Sequence, residues 1–188
     1  PYQRTDMARN VAVRTFQKHS TGEDDVLVML DADHIHPRDI VPALADKCDE
    51  EHEVVGALAF RRSEPYDPCF YTLAADGKAD VSTAFDGGLV RCDIVGSGAI
   101  AIRRSVFTKL EAAGHQWPFF RYVYREDVDV QRSEDWNFGL MCQGAGISHW
   151  VNQNVVIPHL TTKAIAQDDW FNTLQAASTD PAAFEARY

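Results

Sequence analysis

The sequence predicts one α/β domain built on a largely parallel sheet with helices flanking it, and three observations carry that expectation. An unbroken apolar run, Val26-Leu27-Val28-Met29-Leu30, stops abruptly at Asp31, the pattern of a strand covered on both faces. A second apolar stretch, Val54 to Phe60, follows an intervening helical pattern, and the order helix, strand, helix, strand is that of a parallel α/β sheet. The 188 residues are 45% hydrophobic and 24% charged, which suits a folded domain with a real core rather than a disordered tail.

The elements follow in chain order. Met7, Val11, Val13 and Phe16 recur at mostly helical spacing within Asp6 to Lys18, and Ser20-Thr21-Gly22 ends that helix. After the Val26 to Leu30 strand, Pro37 suits the first turn of a helix through Ile40, Leu44 and Ala45. Arg61 to Gly88 is irregular, rich in Pro, Asp, Tyr and Gly, and Leu89 to Ile102 has a strand pattern interrupted by Gly96-Ser97-Gly98. A short helix at Arg104 to Ala113, an aromatic loop from Trp117 to Tyr124, a helix at Glu134 to Gln143 and a strand at Val155 to Ile157 complete a domain over residues 1–163. Residues 164–188 are expected to form a helical appendage.

Composition excludes several classes of partner. Lys and Arg number 18 against 28 Asp and Glu, a formal net charge of -10 that repels a phosphate backbone and an anionic membrane surface, so nucleic acid is not expected. No run approaches the roughly 18 apolar residues of a membrane span, and Pro1 to Asn10 has no apolar signal region. Cys48, Cys69, Cys92 and Cys142 lie far apart with no C-x-x-C pair, so they read as reduced thiols of a cytoplasmic protein.

Four stretches could carry chemistry. Asp31-Ala32-Asp33-His34 ends the buried strand, where ligands gather in open α/β sheets, and the period of two points both aspartates the same way. Two hard oxygen ligands suit Mg²⁺ or Mn²⁺, although aspartates at a strand end also simply start turns. Ser133-Glu134-Asp135-Trp136 reads as a helix start with a serine cap and two acids in the first turn. Capping alone accounts for such acids; held beside a ligand, one of them could accept a proton from a nucleophilic hydroxyl. His159 follows Val155-Val156-Ile157-Pro158, and an imidazole with carboxylates makes a mixed N/O site for Mn²⁺, with His34 and His36 as competitors. Gly96-Ser97-Gly98 within a strand pattern marks either a bulge or the close approach of another group.

Taken in order, these stretches resemble the nucleotide-sugar-dependent glycosyltransferases of the GT-A fold, particularly the family-two-like enzymes. The matching residues are Ala8-Arg9-Asn10, Val26 to Asp33, Val95 to Ala99 running into Ile102 to Phe107, Ser133 to Phe138, and Gly146 to Leu160. The resemblance implies a Rossmann-like, mostly parallel sheet in a three-layer α/β/α arrangement. It implies transfer of a sugar from a nucleoside-diphosphate-sugar donor to an acceptor hydroxyl, with Asp33 and His159 binding Mn²⁺ or Mg²⁺ and Asp31 near the metal and ribose. Asp135 would be the general base of an inverting enzyme, supported by Glu134; a retaining course stays open. Arg4 and Arg9 would contact base or phosphate, and Gly96, Ser97 and Gly98 would border the donor. Enzymes of this kind usually open with a strand that grips the nucleobase, which has no counterpart before the first helix here; a sheet edge left open in that way predicts self-association. Two other readings compete: a non-catalytic sugar-nucleotide or glycan-binding module of the same fold, and a haloacid-dehalogenase-like phosphatase with Asp31 as nucleophile and Gln167-Asp168-Asp169-Trp170 as its later acidic motif.

Overall fold

The computed structural model describes residues 4–75, 78–81, 85, 87–126, 130–161 and 164–179. In chain order the helices are α1 (Thr5–His19), α2 (Ile40–Ala45), α3 (Arg104–Ala112), α4 (Glu134–Gly144) and α5 (Gln167–Thr179). The strands are β1 (Val26–Leu30), β2 (Val54–Leu58), β3 (Phe70–Leu73), β4 (Ala79–Val81), β5 (Leu89–Cys92), β6 (Ile94–Val95), β7 (Ala99–Arg103), β8 (Val123–Arg125), β9 (Val130–Arg132), β10 (His149–Val156), β11 (His159–Leu160) and β12 (Ala164–Ile165).

The expected mostly parallel, three-layer Rossmann-like sheet is not what forms. The largest sheet has the order β1-β7-β2-β10-β5, and of its four ladders only β2 with β10 is parallel. Smaller antiparallel sheets, β4-β3-β6, β8-β9 and β11-β12, stand beside it, so the fold is mixed α/β with mostly antiparallel pairing. The reason lies in β7. The chain turns at Gly96-Ser97-Gly98 and returns between β1 and β2, antiparallel to both, with Leu30 opposite Ala99 and Val54 opposite Ile102. An apolar run reports burial of a strand's faces, not the direction of its neighbours. The run that suggested a doubly covered central strand is in fact the sheet's edge, with Val26, Leu27 and Val28 half-buried, whereas β2 and β7 are buried throughout.

Alternation along β2 and β7 divides the core between the two faces. Val54, Leu58, Ile100 and Ile102 pack with Val13 of α1, Val106, Phe107 and Leu110 of α3 and Phe138 of α4. Val55, Ala57, Ala99 and Ala101 meet Ile40 and Leu44 of the six-residue α2. Alanine on that face lets the short helix sit close. Trp170 of α5 is fully buried against Phe60 and Phe85, with ring centroids 6.5 and 4.8 Å apart. Among the described residues, no helix is long and apolar enough to cross a membrane.

Although not neighbours, β1 and β2 run in the same direction because β7 is antiparallel to each, and β10 is parallel to β2. The carboxyl ends of β1, β2 and β10 therefore open on one side of the sheet, together with the turn that leads into β7. That side receives Asp31 to His34, Arg61 and Arg62, Pro158 and His159, and Gly96 to Gly98.

Candidate metal and catalytic site

Asp31 and Asp33 leave β1 two residues apart and meet different fates. The Asp31 amide donates to the Gly98 carbonyl at 2.8 Å, continuing the β1–β7 ladder by one step. Its carboxylate is taken by Arg9, whose Nη2 lies 3.0 and 2.7 Å from the two oxygens. The same guanidinium donates through Nη1 to Glu134 Oε1 at 2.6 Å and through Nη2 to the Ser97 carbonyl at 3.0 Å. Arg9 and Glu134 are each 5% exposed, so this is a buried clamp joining α1, the end of β1, the turn before β7 and the start of α4. Burial pushes the Asp31 carboxyl up against the pull of Arg9, and the nearby Asp33 charge adds to the push.

Asp33 faces outward. The amide of Leu160 donates to its carbonyl at 2.7 Å, and His34 and His159 form an antiparallel bridge, so β11 is laid against the residues that follow β1. The two imidazoles stack with centroids 4.0 Å apart. His34 Nδ1 donates to Asp33 Oδ1 at 3.0 Å. Burial, with the neighbouring His159 adding to it, pushes the His34 imidazole down to about 4, so it is neutral near pH 7. His159 Nδ1 lies 2.9 Å from the Phe60 carbonyl, which can only accept. Nδ1 therefore carries a proton, and Nε2 accepts from Arg62 Nε at 2.8 Å, 3.7 Å from Asp33 Oδ2.

Asp33, His34 and His159 each offer a ligand atom, all within 4.8 Å of one another. A carboxylate oxygen and imidazole nitrogen suit a borderline divalent ion such as Mn²⁺, and a histidine that binds a metal usually donates its other ring N–H to a carbonyl or carboxylate, as His159 does to Phe60. Arg62 already places a cation there: its Nε donates to His159 Nε2 at 2.8 Å and its Nη2 bonds Asp33 Oδ2. Burial pushes the Asp33 carboxyl up, but Arg62, His34 and His159 together outweigh it and hold the group below its ordinary value.

The catalytic pair of the sequence reading also divides. Asp135 opens α4 half-buried, its Oδ1 accepting from the Ser133 hydroxyl and from the Trp136 amide at 2.7 Å. Ser133 thus spends its hydroxyl on Asp135 rather than on a backbone cap. Both bonds fall on Oδ1, which leaves Oδ2 open among the described residues. Glu134 points instead to Arg9 and accepts a bond from the Tyr122 hydroxyl, which burial and that bond push up to about 12. Glu134 fixes where α4 begins, and so where Asp135 stands.

The glycine turn serves close packing. A Cβ on Gly98 would lie 2.7 Å from the His34 ring, and one on Gly96 would lie 2.8 Å from Cys69 Cβ, so each position needs a missing side chain. Ser97 contributes its carbonyl to the clamp. Arg4 pairs with Asp6 on the surface, with its guanidinium 5.4 Å from the Tyr122 ring centroid. In the aromatic loop Phe119 and Phe120 are core, and Asn10 pins the loop to α1 by donating to the Phe120 carbonyl at 2.6 Å and accepting from its amide at 3.0 Å. Trp117 stays partly exposed beneath Arg14, 5.1 Å away. Asp169 accepts from the Ala166 amide at 3.0 Å, a role in starting α5 that lies apart from Asp31. Cys48, Cys69, Cys92 and Cys142 are unpaired, and burial pushes the thiols of Cys48 and Cys69 up to about 12.

The sequence reading missed two things here. Arg9, expected to contact base or phosphate, is instead the clamp's buried centre; its signal is a place one helical turn before Val13 on the buried side of α1. Arg62 has no part in the expected site, and its signal is a pair of cations, Arg61-Arg62, directly after a buried strand in an acidic chain.

No protein-family model matches the chain, and no curated protein matches it. Solved structures do, among them the crystal structure of A197 from STIV, with a TM-score of 0.58 and 16% sequence identity over 88% of this chain and 77% of that one. At that identity the likeness concerns the fold alone.

Proposed function

We propose that the chain is a divalent-metal-dependent glycosyltransferase that moves a sugar from a nucleoside-diphosphate-sugar donor to an acceptor hydroxyl. The observation that carries the reading is the pairing of Asp33 with a His159 whose Nδ1 is held on the Phe60 carbonyl, at the strand end where the Asp31–Arg9–Glu134 clamp also holds the start of α4 and with it Asp135. Asp33 and His159, with His34 beside them, would hold Mn²⁺ or Mg²⁺, which supplies neutralisation of the charge that develops on a leaving diphosphate. Asp135 accepts the acceptor's proton through Oδ2, while Ser133 and the Trp136 amide hold Oδ1 and keep the carboxylate ionised and oriented. In this reading Asp31 and Glu134 position the site rather than touch the donor. Four unpaired thiols are in keeping with a reducing, cytoplasmic setting.

Calorimetric titration of UDP-, GDP-, CMP- and TDP-sugars with and without Mn²⁺ tests the donor half. The expected result is binding of one nucleotide class that requires Mn²⁺ and is lost in Asp33→Ala; metal-independent binding that survives the substitution would contradict it. Asp135→Asn is then expected to keep donor binding and lower turnover by about 10²- to 10⁴-fold. Donor binding with no turnover in the unaltered protein would identify a binding module instead.

A further inference from the structure

Arg62 is placed in a way that neither core packing nor surface solvation demands. Its Nε donates to His159 Nε2 at 2.8 Å and its Nη2 bonds Asp33 Oδ2, so one guanidinium spans the two atoms that face each other across 3.7 Å. Those atoms are the same two that a divalent ion would take, with ligand bonds of about 2.1 Å each. Guanidinium and ion cannot occupy that gap together. The backbone that carries Arg62 is tied down on both sides, by the Arg61 amide on the Asp67 carbonyl at 2.9 Å and the Tyr66 amide on the Ser63 carbonyl at 2.9 Å. Its side chain is 55% exposed and free to swing into solvent without moving the loop.

From this geometry we infer that Arg62 is a displaceable stand-in cation: it holds Asp33 and His159 together in the metal-free protein and competes with the divalent ion for the same two ligands. The inference rests on the metal site proposed above and adds its regulation. Metal binding then carries the cost of breaking the Arg62 contacts, so the metal affinity observed lies below the intrinsic affinity of the ligand set. It also releases a guanidinium fork beside the ion, and any anionic ligand that retains Arg62 in its outward position raises metal affinity by the same factor.

Titration of Mn²⁺ alone into the unaltered chain, Arg62→Gln, Arg62→Lys and Asp33→Ala tests the idea. Arg62 is on the surface, so the substitutions are not expected to disturb folding, which a thermal melt checks. Removal of a competitor at an exposed ion pair is expected to tighten Mn²⁺ binding by about twofold to fivefold in Arg62→Gln, less in Arg62→Lys, which keeps the charge without the fork. Asp33→Ala is expected to bind none. Loss of Mn²⁺ binding in Asp33→Ala together with equal or weaker binding in Arg62→Gln would overturn the competition and leave the metal site standing. Absence of Asp33-dependent Mn²⁺ binding from every variant would remove the metal site, and the competition with it.

Discussion

Two arginine–carboxylate assemblies stand at the end of the same strand, one around Asp31 and one around Asp33, and they differ in almost every physical respect. Arg9 is 5% exposed and bonds two carboxylates and a backbone carbonyl from three different parts of the chain. Arg62 is 55% exposed and meets one carboxylate and one imidazole lone pair, in a place that solvent reaches. A buried guanidinium paired to two acids cannot leave without stranding charge in a poorly solvated interior, whereas an exposed one can be exchanged for another cation at little cost. Burial of the arginine partner, more than of the aspartates themselves at 30% and 40% exposure, therefore separates an aspartate locked into the structure from one that a ligand could reach, within one D-x-D motif.

The largest expected effect tests the buried half. Arg9→Met leaves Asp31 and Glu134 facing each other without their cation, and is expected to cost about 3–5 kcal/mol of unfolding free energy, measured by urea denaturation. Neutralising both acids as well, in Arg9→Met/Asp31→Asn/Glu134→Gln, is expected to recover most of that loss; a cost near zero for Arg9→Met alone would break the distinction between the two assemblies. Gly98→Ala comes next. Its Cβ would meet the His34 ring at 2.7 Å and force the imidazole off Asp33, with an expected cost of about 1–3 kcal/mol in the same denaturation experiment and weaker Mn²⁺ binding by titration. The smallest effect belongs to Asp33→Asn, expected to change stability by less than about 1 kcal/mol because its own side chain is 40% exposed and its charged partner Arg62 lies on the surface. A larger loss would make Asp33 a structural residue like Asp31.

How much of this the sequence disclosed depends on what each signal measures. The bounds of α1, α3 and α4 are legible to within a residue or two, but the buried side of α1 is not: Met7 and Val11, two of the four apolar residues whose spacing marks it, are exposed, while Arg9 and Asn10 are buried. Of the strands, β1, β2 and the Leu89 to Ile102 region are legible, whereas β3, β4, β8 and β9 lie in stretches without a strand pattern and β10 runs over His149–Val156 where the sequence marks only Val155 to Ile157. The apolar run of β1 was legible as a strand end with acids beyond it, yet the insertion of β7 beside it depends on a return of the chain at Gly96 to Gly98 that no local pattern encodes. Asp33 and His159 stood out as residue types suited to a metal, whereas the carbonyl of Phe60 that sets the His159 tautomer carries no sequence signature, since any residue supplies a carbonyl. Asp31 and Glu134 looked like ligand residues for the same reason that Asp33 did. Only their shared contact with Arg9, across a sequence separation of 125 residues for Glu134, shows what holds them.

The most direct test of the account is a side-by-side Mn²⁺ titration of Asp31→Asn and Asp33→Asn, each checked for folding at the temperature used. The account predicts that Asp33→Asn keeps its stability and loses Mn²⁺ binding, while Asp31→Asn loses stability and, where folded, binds Mn²⁺ within about tenfold of the unaltered chain. The reverse pattern, with binding lost at Asp31 and retained at Asp33, would contradict it.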